Sequence, residues 1–161
     1  MEKKEREEKT CCPKFDPNSW DEKEVVWKDK LFAKDIVKSF LHIPLNMGQI
    51  MTKMSEKINA AGAMPKDYLI LSFEKSPWKS EQYIAIEKEV PGLESEELSG
   101  TFLTKVFEGP YKEAPNWYRE MENYIKGKGK AVKNIYTFYT TCPKCAKKYG
   151  KNYVVLFAQV D

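Results

Sequence analysis

Histidine is almost missing from this chain: His42 is the only one in 161 residues. A metal centre built on several histidines is thereby excluded, and a Ser-His-Asp triad has a single candidate base. Arginine is scarce as well. Only Arg6 and Arg119 occur among 27 basic residues, whereas base readout and bidentate phosphate contacts favour arginine over lysine. No apolar run approaches the roughly 18 residues of a membrane-crossing helix. Neither GxGxxG nor a P-loop is present. The opening MEKKEREEKT has four acids, four bases and no apolar core, so it does not read as a signal peptide. What remains is 42% apolar, 13% aromatic and 32% charged, with a formal net charge of +3. That balance suits one cytoplasmic globular domain with a real hydrophobic core.

Charge is unevenly spread. Eight lysines and no acid lie between Lys126 and Lys151, while Glu87, Glu89, Glu94, Glu96 and Glu97 form an acidic stretch upstream. Segregated charge on a solvated surface accounts for both, and no nucleic-acid partner is expected. Residues 1–10 read as a charged flexible tail and 11–161 as a single domain. The lead-in CCPKFDPNSW, rich in proline and turn formers, is expected to be irregular and to pack on that domain.

Two helices follow from spacing. Met47, Ile50, Met51, Met54, Ile58 and Ala61 fall on one stripe, with Asn46 and Gln49 suited to a capping box and Gly62 to the exit. From about Pro115 to Lys126, Trp117, Met121, Tyr124 and Ile125 share a face, and Gly127 suits the exit. Strands are predicted at Val25–Trp27, Leu31–Leu41, Tyr68–Phe73, Tyr83–Val90, Thr101–Phe107 and Ile135–Thr140, with Val154–Ala158 buried on both faces. Equivalent strands and helices recur at an offset of about 70 residues. The order strand–helix–strand–strand therefore occurs twice, without sequence identity between the halves. The expected fold is α+β: a curved antiparallel sheet with both helices on one face and a groove at the pseudo-twofold axis, where ligands commonly sit.

Several residues could carry chemistry. Glu74 closes an apolar strand and Trp78 follows it, a carboxylate beside a stacking surface that suits a cationic or electrophilic ligand. Glu108-Gly-Pro-Tyr111 is a tight turn that aims Tyr111. Tyr136, Phe138 and Tyr139 put aromatics on both faces of one strand, so one face can line the groove. Cys142-Pro-Lys-Cys145 is a CxxC whose only companions are Cys11 and Cys12. Structural zinc, a redox pair and ordinary reduced cysteines all remain open for it, the last being the simplest. His42, between Leu41 and Ile43, reads as a packed histidine. No cofactor and no metal are expected.

LSFEKSPW (71–78), VFEGPYKEAPNWYREMENYIKGKG (106–129) and FYTTCPKCAKKYGKNYVVLFAQV (138–160) resemble the GyrI-like family of small-molecule-binding domains, in particular its stand-alone, hydrolase-labelled members. The resemblance spans about Cys11 to Asp161, and Gly109-Pro110-Tyr111 is its most recognisable motif. It implies a duplicated strand–helix–strand–strand fold, in agreement with the offsets. Glu74 and Trp78 stand at the positions of a glutamate and a tryptophan in the relatives' Leu-Glu-Gly-Leu-Trp-Trp segment. Thr137 replaces an acidic residue in Thr137-Phe-Tyr139, and Cys142 replaces an aspartate. A mechanism that needs two carboxylates in the second half therefore loses its residues, leaving Glu74.

The expected function is binding of a flat apolar or cationic small molecule in a central aromatic groove. Trp78 and Tyr139 would stack, Tyr111, Glu108 and Trp117 would complete the site, and Glu74 would supply negative charge. Some relatives hydrolyse cyclopropane-bearing, DNA-alkylating compounds, which implies a detoxifying ring opening with Glu74 as base and Tyr139 as hydroxyl donor. Two alternatives stand beside this: a non-catalytic module that sequesters a ligand or inhibits a partner such as gyrase, and a thiol or zinc function at the CxxC. No membrane partner is expected.

Overall fold

A computed structural model describes residues 16–41, 43–65, 69–140 and 153–160. The charged tail, all four cysteines and His42 lie outside the described residues. Strand β1 (Lys23–Phe40) runs through both segments expected as separate strands, with an irregularity in its pairing between Trp27 and Lys30. Asp29 takes a left-handed φ of 51° there, and its backbone N–H donates to the Ser99 hydroxyl at 2.8 Å. Aspartate tolerates that conformation better than most residues, and a bulge bends and coils a long strand. The two-residue β2 (Ile43–Pro44) folds back on the end of β1.

Helix α1 (Met47–Ala60) buries Met54 and Ile58. The expected capping box does not form. Asn46 sits at the cap position, but its side-chain oxygen accepts from the Lys38 N–H of β1 at 2.8 Å, tying the helix to the sheet instead. Gly62 ends the helix as expected, with a φ of +63° that favours glycine. Strands β3 (Ile70–Ser76) and β4 (Lys79–Ala85) complete the first unit.

The second unit repeats the order. Strand β5 (Glu94–Glu108) takes in Glu94, Glu96 and Glu97 of the acidic stretch, and a short 3-10 turn (Tyr111–Glu113) leads into α2 (Ala114–Gly127). The positive φ that turns the chain out of α2 belongs to Gly129, two residues beyond the glycine expected to do so. Strands β6 (Val132–Tyr139) and β7 (Tyr153–Val160) follow, and Val154 to Ala158 are buried throughout.

All strand pairings are antiparallel, and the order is β2-β1-β4-β3-β6-β7-β5 with β5 pairing back to β1. The sheet thus curves as expected, and it does so far enough to close into a six-stranded barrel-like ring. The β1 bulge supplies the coiling that such closure needs. Both helices pack on the outer face. Met54 and Ile58 of α1 meet Ala33, Ile84 and Ile86, while Trp117, Met121 and Ile125 of α2 meet Leu103, Val154 and Leu156. Among the described residues, no helix is long and apolar enough to cross a membrane.

Closure is uneven around the ring. β1 and β5 share ten partner pairs, and β5 and β7 share eight, but β3 meets β6 at the single pair Ser72–Thr137. Amides flanking that pair are expected to exchange with deuterium well before those of the β1–β5 and β5–β7 ladders, because one bridge carries little local stability. Peptide-level hydrogen exchange reads this directly. Equal protection around the ring would show the β3–β6 seam to be as firm as the others.

Candidate functional site

Rings make up more than half of the barrel interior, set among Leu69, Leu71, Ala85, Leu98 and Val155. Phe32, Tyr83, Phe102, Tyr136, Phe138 and Phe157 are buried there, with Trp20, Trp27 and Phe73 packed against them. Neighbouring rings lie between 4.6 and 6.5 Å apart, the range of favourable tilted and edge-on contacts. Strand alternation explains the selection: Tyr136 and Phe138 point inward while Thr137 and Tyr139 point toward the helices. One end is closed by Trp20, whose ring meets Phe138 and Phe157 and whose carbonyl accepts from the Thr104 hydroxyl.

At the other end the inward side chains change from rings to ionised groups. The Glu81 carboxylate, 8% exposed, accepts a hydrogen bond from the Tyr83 hydroxyl and lies 3.6 Å from Lys34 Nζ and 3.4 Å from Lys75 Nζ. Lys34 Nζ also lies 2.9 Å from Glu96 and 5.8 Å from the centre of the Tyr83 ring. Phe73 and Tyr136 lie 5.2 Å apart beneath this group, and Tyr136 and Tyr83 5.8 Å apart. Solvent reaches the rim, since the Lys75 and Glu96 side chains are 64% and 40% exposed.

Protonation follows from these contacts. Burial pushes the Glu81 carboxyl up, but the Tyr83 hydroxyl, Lys34 and Lys75 outweigh it and hold it below the usual glutamate range. Burial lifts the Tyr83 phenol far above its ordinary value, and Glu81 adds to the shift. Tyr136 is raised by burial first and by Glu96 and Glu81 next. The hydrogen bond to Glu96 raises Lys34 against the opposing effect of burial. This end therefore holds ionised Glu81 and Lys34 beside neutral phenols at neutral pH. Electrostatic preorganisation of that kind suits recognition of a polar aromatic molecule.

The residues singled out from sequence are distributed differently. Glu74 lies inside β3 and not at its end, because pairing with β4 continues to Ser76. It alternates with Phe73 and so faces the outer side, where its charge helps burial to raise the Tyr118 phenol. The Tyr118 hydroxyl pairs with the Thr137 hydroxyl at 2.9 Å. Tyr139 is on the same outer face, but the antiparallel Ser72–Thr137 bridge sends Glu74 and Tyr139 in opposite directions. They stand about 13 Å apart along the strands, so the expected acid–hydroxyl pair is not brought together. Trp78, 52% exposed, sits in the β3–β4 turn with its ring 5.6 Å from Phe40. Trp117 is buried between α2 and the sheet, stacked on Phe107 at 5.9 Å, outside the aromatic interior. Glu108 is exposed at the end of β5. Gly109 after it has a φ of +138°, which only glycine adopts readily. Tyr111 opens the 3-10 turn, and its side chain lies outside the described residues.

Glu81, Lys34, Tyr83 and Glu96 were missed. The strand expected at Tyr83–Val90 begins at Lys79, which puts Glu81 on the inward face two residues before Tyr83. The alternation Glu81, Tyr83, Ala85 was the available signal. A carboxylate sharing a face with core residues is seldom left there without partners.

The fold is shared with known proteins. The crystal structure of the EcmrR C-terminal domain superposes with a TM-score of 0.64 at 14% identity, covering 86% of this chain and 94% of that one. EcmrR in a cryo-EM complex with DNA gives a TM-score of 0.62 at 12% identity, covering 86% of this chain and 56% of that one. SAV2435 bound to tetraphenylphosphonium gives 0.46 at 14% identity, over 88% of this chain and 94% of that one. No curated protein is similar to the chain in sequence. The family model described as bacterial hydrolase matches residues 2–160, and the chain, with its doubled strand–helix–strand–strand unit and GyrI-like fold, belongs to that family.

Proposed function

We propose that this protein binds a flat aromatic small molecule across the ionised end of its barrel, over Phe73, Tyr83 and Tyr136 and beside Glu81. One observation carries the reading: a buried carboxylate and an ammonium converge beside the Tyr83 ring at the end of the barrel whose rim side chains reach solvent. Stacking supplies affinity there, and the charged groups fix orientation. Lys75 is the group that yields to the ligand, because its exposed side chain swings into water at little cost. In this reading Trp78, Tyr139, Tyr111, Glu108 and Trp117 are not the primary contacts. Trp78 serves at most as an outer flank reached along Phe40.

A second reading is catalytic and is favoured by the hydrolase family. Glu74 removes a proton from water, the oxygen bonds to a carbon of a strained ring, and the breaking ring bond passes its electron pair to a conjugated carbonyl. A tyrosine hydroxyl stabilises the enolate, which then takes up the proton. In this reading Tyr118, whose phenol feels the charge of Glu74 and whose hydroxyl pairs with Thr137, takes that role in place of Tyr139. Mass-spectrometric turnover of a cyclopropane-bearing alkylator by wild type, Glu74→Gln and Glu81→Gln separates the readings. A water-added product from wild type and Glu81→Gln but not from Glu74→Gln establishes the outer-face hydrolase. No product from any of them, with tryptophan fluorescence of wild type still quenched by the compound, leaves a binding protein.

A further inference from the structure

The seat that an organic cation would take at the ionised end already holds a cation. An ammonium recognised by this fold needs carboxylate oxygens at hydrogen-bond distance and a ring face to lie over. Lys34 Nζ has both: Glu96 at 2.9 Å, Glu81 at 3.6 Å and the Tyr83 ring centre at 5.8 Å. Lys34 leans in from β1 between its two neighbouring strands, opposite Tyr83 of β4 and opposite Glu94 of β5. Counting Lys75 on Glu81, the four inward ionised groups comprise two carboxylates and two ammoniums contributed by the chain itself. Glu94, exposed on the rim, adds a screened negative charge that helps to hold Lys34 in place.

We infer that Lys34 determines ligand class at this end, excluding organic cations and donating a hydrogen bond to the acceptor oxygen of an uncharged flat aromatic ligand. The inference rests on the reading of this end as the ligand site and adds to it the chemistry that the site selects. Its physical basis is an asymmetry between the two ammoniums. Lys75, 64% exposed, is released into water without leaving a buried charge. Lys34, 17% exposed, is not: an entering cation would have to break it away from two carboxylates and leave it unpaired among rings. A ligand carrying a carbonyl or phenol oxygen makes no such demand. It takes the place vacated by Lys75 and accepts from the ammonium already present, a charge-assisted bond in a sheltered setting. The hydrogen bond to Glu96 keeps Lys34 protonated at neutral pH, so the donor is permanent.

The test uses two probes built on three fused flat rings, the monocation ethidium and the uncharged ketone acridone. Their binding to the full chain is titrated by ligand fluorescence and by calorimetry for wild type, Lys34→Met, Lys34→Gln and Lys34→Arg. Wild type is expected to bind acridone and to prefer it over ethidium. In Lys34→Met the preference is expected to reverse, with ethidium gaining about tenfold or more and acridone losing a similar factor, the scale of one charge-assisted hydrogen bond. Lys34→Gln, which keeps length and polarity should the methionine variant fold poorly, is expected to move both affinities in the same directions. Lys34→Arg keeps the charge and is expected to retain the wild-type preference. Wild type binding ethidium as tightly as Lys34→Met and Lys34→Gln do would overturn the inference while leaving the ligand site standing. Binding of neither probe to any of the four proteins would overturn the inference together with the site on which it rests.

Discussion

Phe157→Ala is expected to lower the midpoint of thermal unfolding by roughly 10 °C, from a loss of about 3–5 kcal/mol in a chain of this size. Phe157 is fully buried at the centre of β7 and touches rings contributed by three separate segments. Its centroid lies 5.2 Å from Trp20, 5.8 Å from Trp27 and 6.4 Å from Phe138, and it stands opposite Thr104 of β5 and Tyr136 of β6. Truncation removes the transfer free energy of the ring and leaves a cavity whose walls are held apart by closed strand pairing. Such a site collapses poorly, which places the cost at the upper part of the usual range. Phe157→Leu should lose roughly half as much, because most of the volume is kept. Differential scanning calorimetry on the three proteins decides the matter. A shift under about 2 °C for the alanine variant would mean that the interior relaxes around the hole, and the barrel would then not be the rigid unit that its ring contacts imply.

The second large effect concerns Glu81. Glu81→Ala is expected to cost about 3 kcal/mol at neutral pH, since it strips a partner from Lys34 and leaves the buried Tyr83 hydroxyl without its acceptor. Glu81→Gln keeps an acceptor for Tyr83 and should cost about 1 kcal/mol. The pH dependence has a definite sign. Glu81 is held below its ordinary value of 4.5 in the folded state, so the unfolded chain takes up its proton first as pH falls. Its stabilising contribution is present in full above the unfolded value and is lost as pH drops through the lower folded value. Denaturant titrations at pH 7 and at successively lower pH should therefore show the gap between wild type and Glu81→Gln narrowing in acid. A gap that stays constant would mean that Glu81 is not held ionised by Lys34, Lys75 and Tyr83. The choice of Lys34 as selector of ligand class would lose its charged partner with it.

Much of the fold was legible before any coordinates. The apolar stripe from Met47 to Ala61 and the Trp117–Met121–Ile125 face each marked a helix, and the recurrence of strand–helix–strand–strand marked the duplication. Those signals are local: each depends on the spacing of residues a few positions apart, which the 3.6 and 2.0 periodicities of helix and strand translate directly into a buried face. The ends of elements were less legible. Glu-Lys-Ser after Phe73 looks like the close of a strand by composition, yet pairing with β4 carries β3 on to Ser76. Asn46 has the right residue type for a helix cap, but Lys38, eight positions earlier, offered its side chain a backbone N–H that the fold had brought alongside.

The candidate site was the least legible part, and the reason is parity. Glu74 and Glu81 are both strand glutamates seven positions apart, and composition alone ranks them alike. Which one faces the rings depends on strand register, because a shift of one residue turns every side chain to the other face. Register here is set in large part by partners far away in the chain, Ile36 opposite Glu81 and Thr137 opposite Ser72, to which the β3–β4 hairpin with Ser80 opposite Glu74 is fitted. The same holds for Tyr139, which shares a strand with Tyr136 and Phe138 and differs from them only in parity.

The sequence by itself therefore determined the repeat, the two helices with their buried faces, the aromatic richness of the interior and the GyrI-like fold class. Only the tertiary structure decided that the sheet closes on itself through β1 and β5, that Glu81 and not Glu74 looks into the rings, and that Lys34 stands beside it. Periodicity is written in neighbouring residues and survives any reading of the chain. Closure and facing arise from strand partners about 40 to 80 residues apart, such as Ile36 with Glu81 and Trp27 with Gly100, and from one bulge near Asp29 that bends a single long strand far enough to meet both halves.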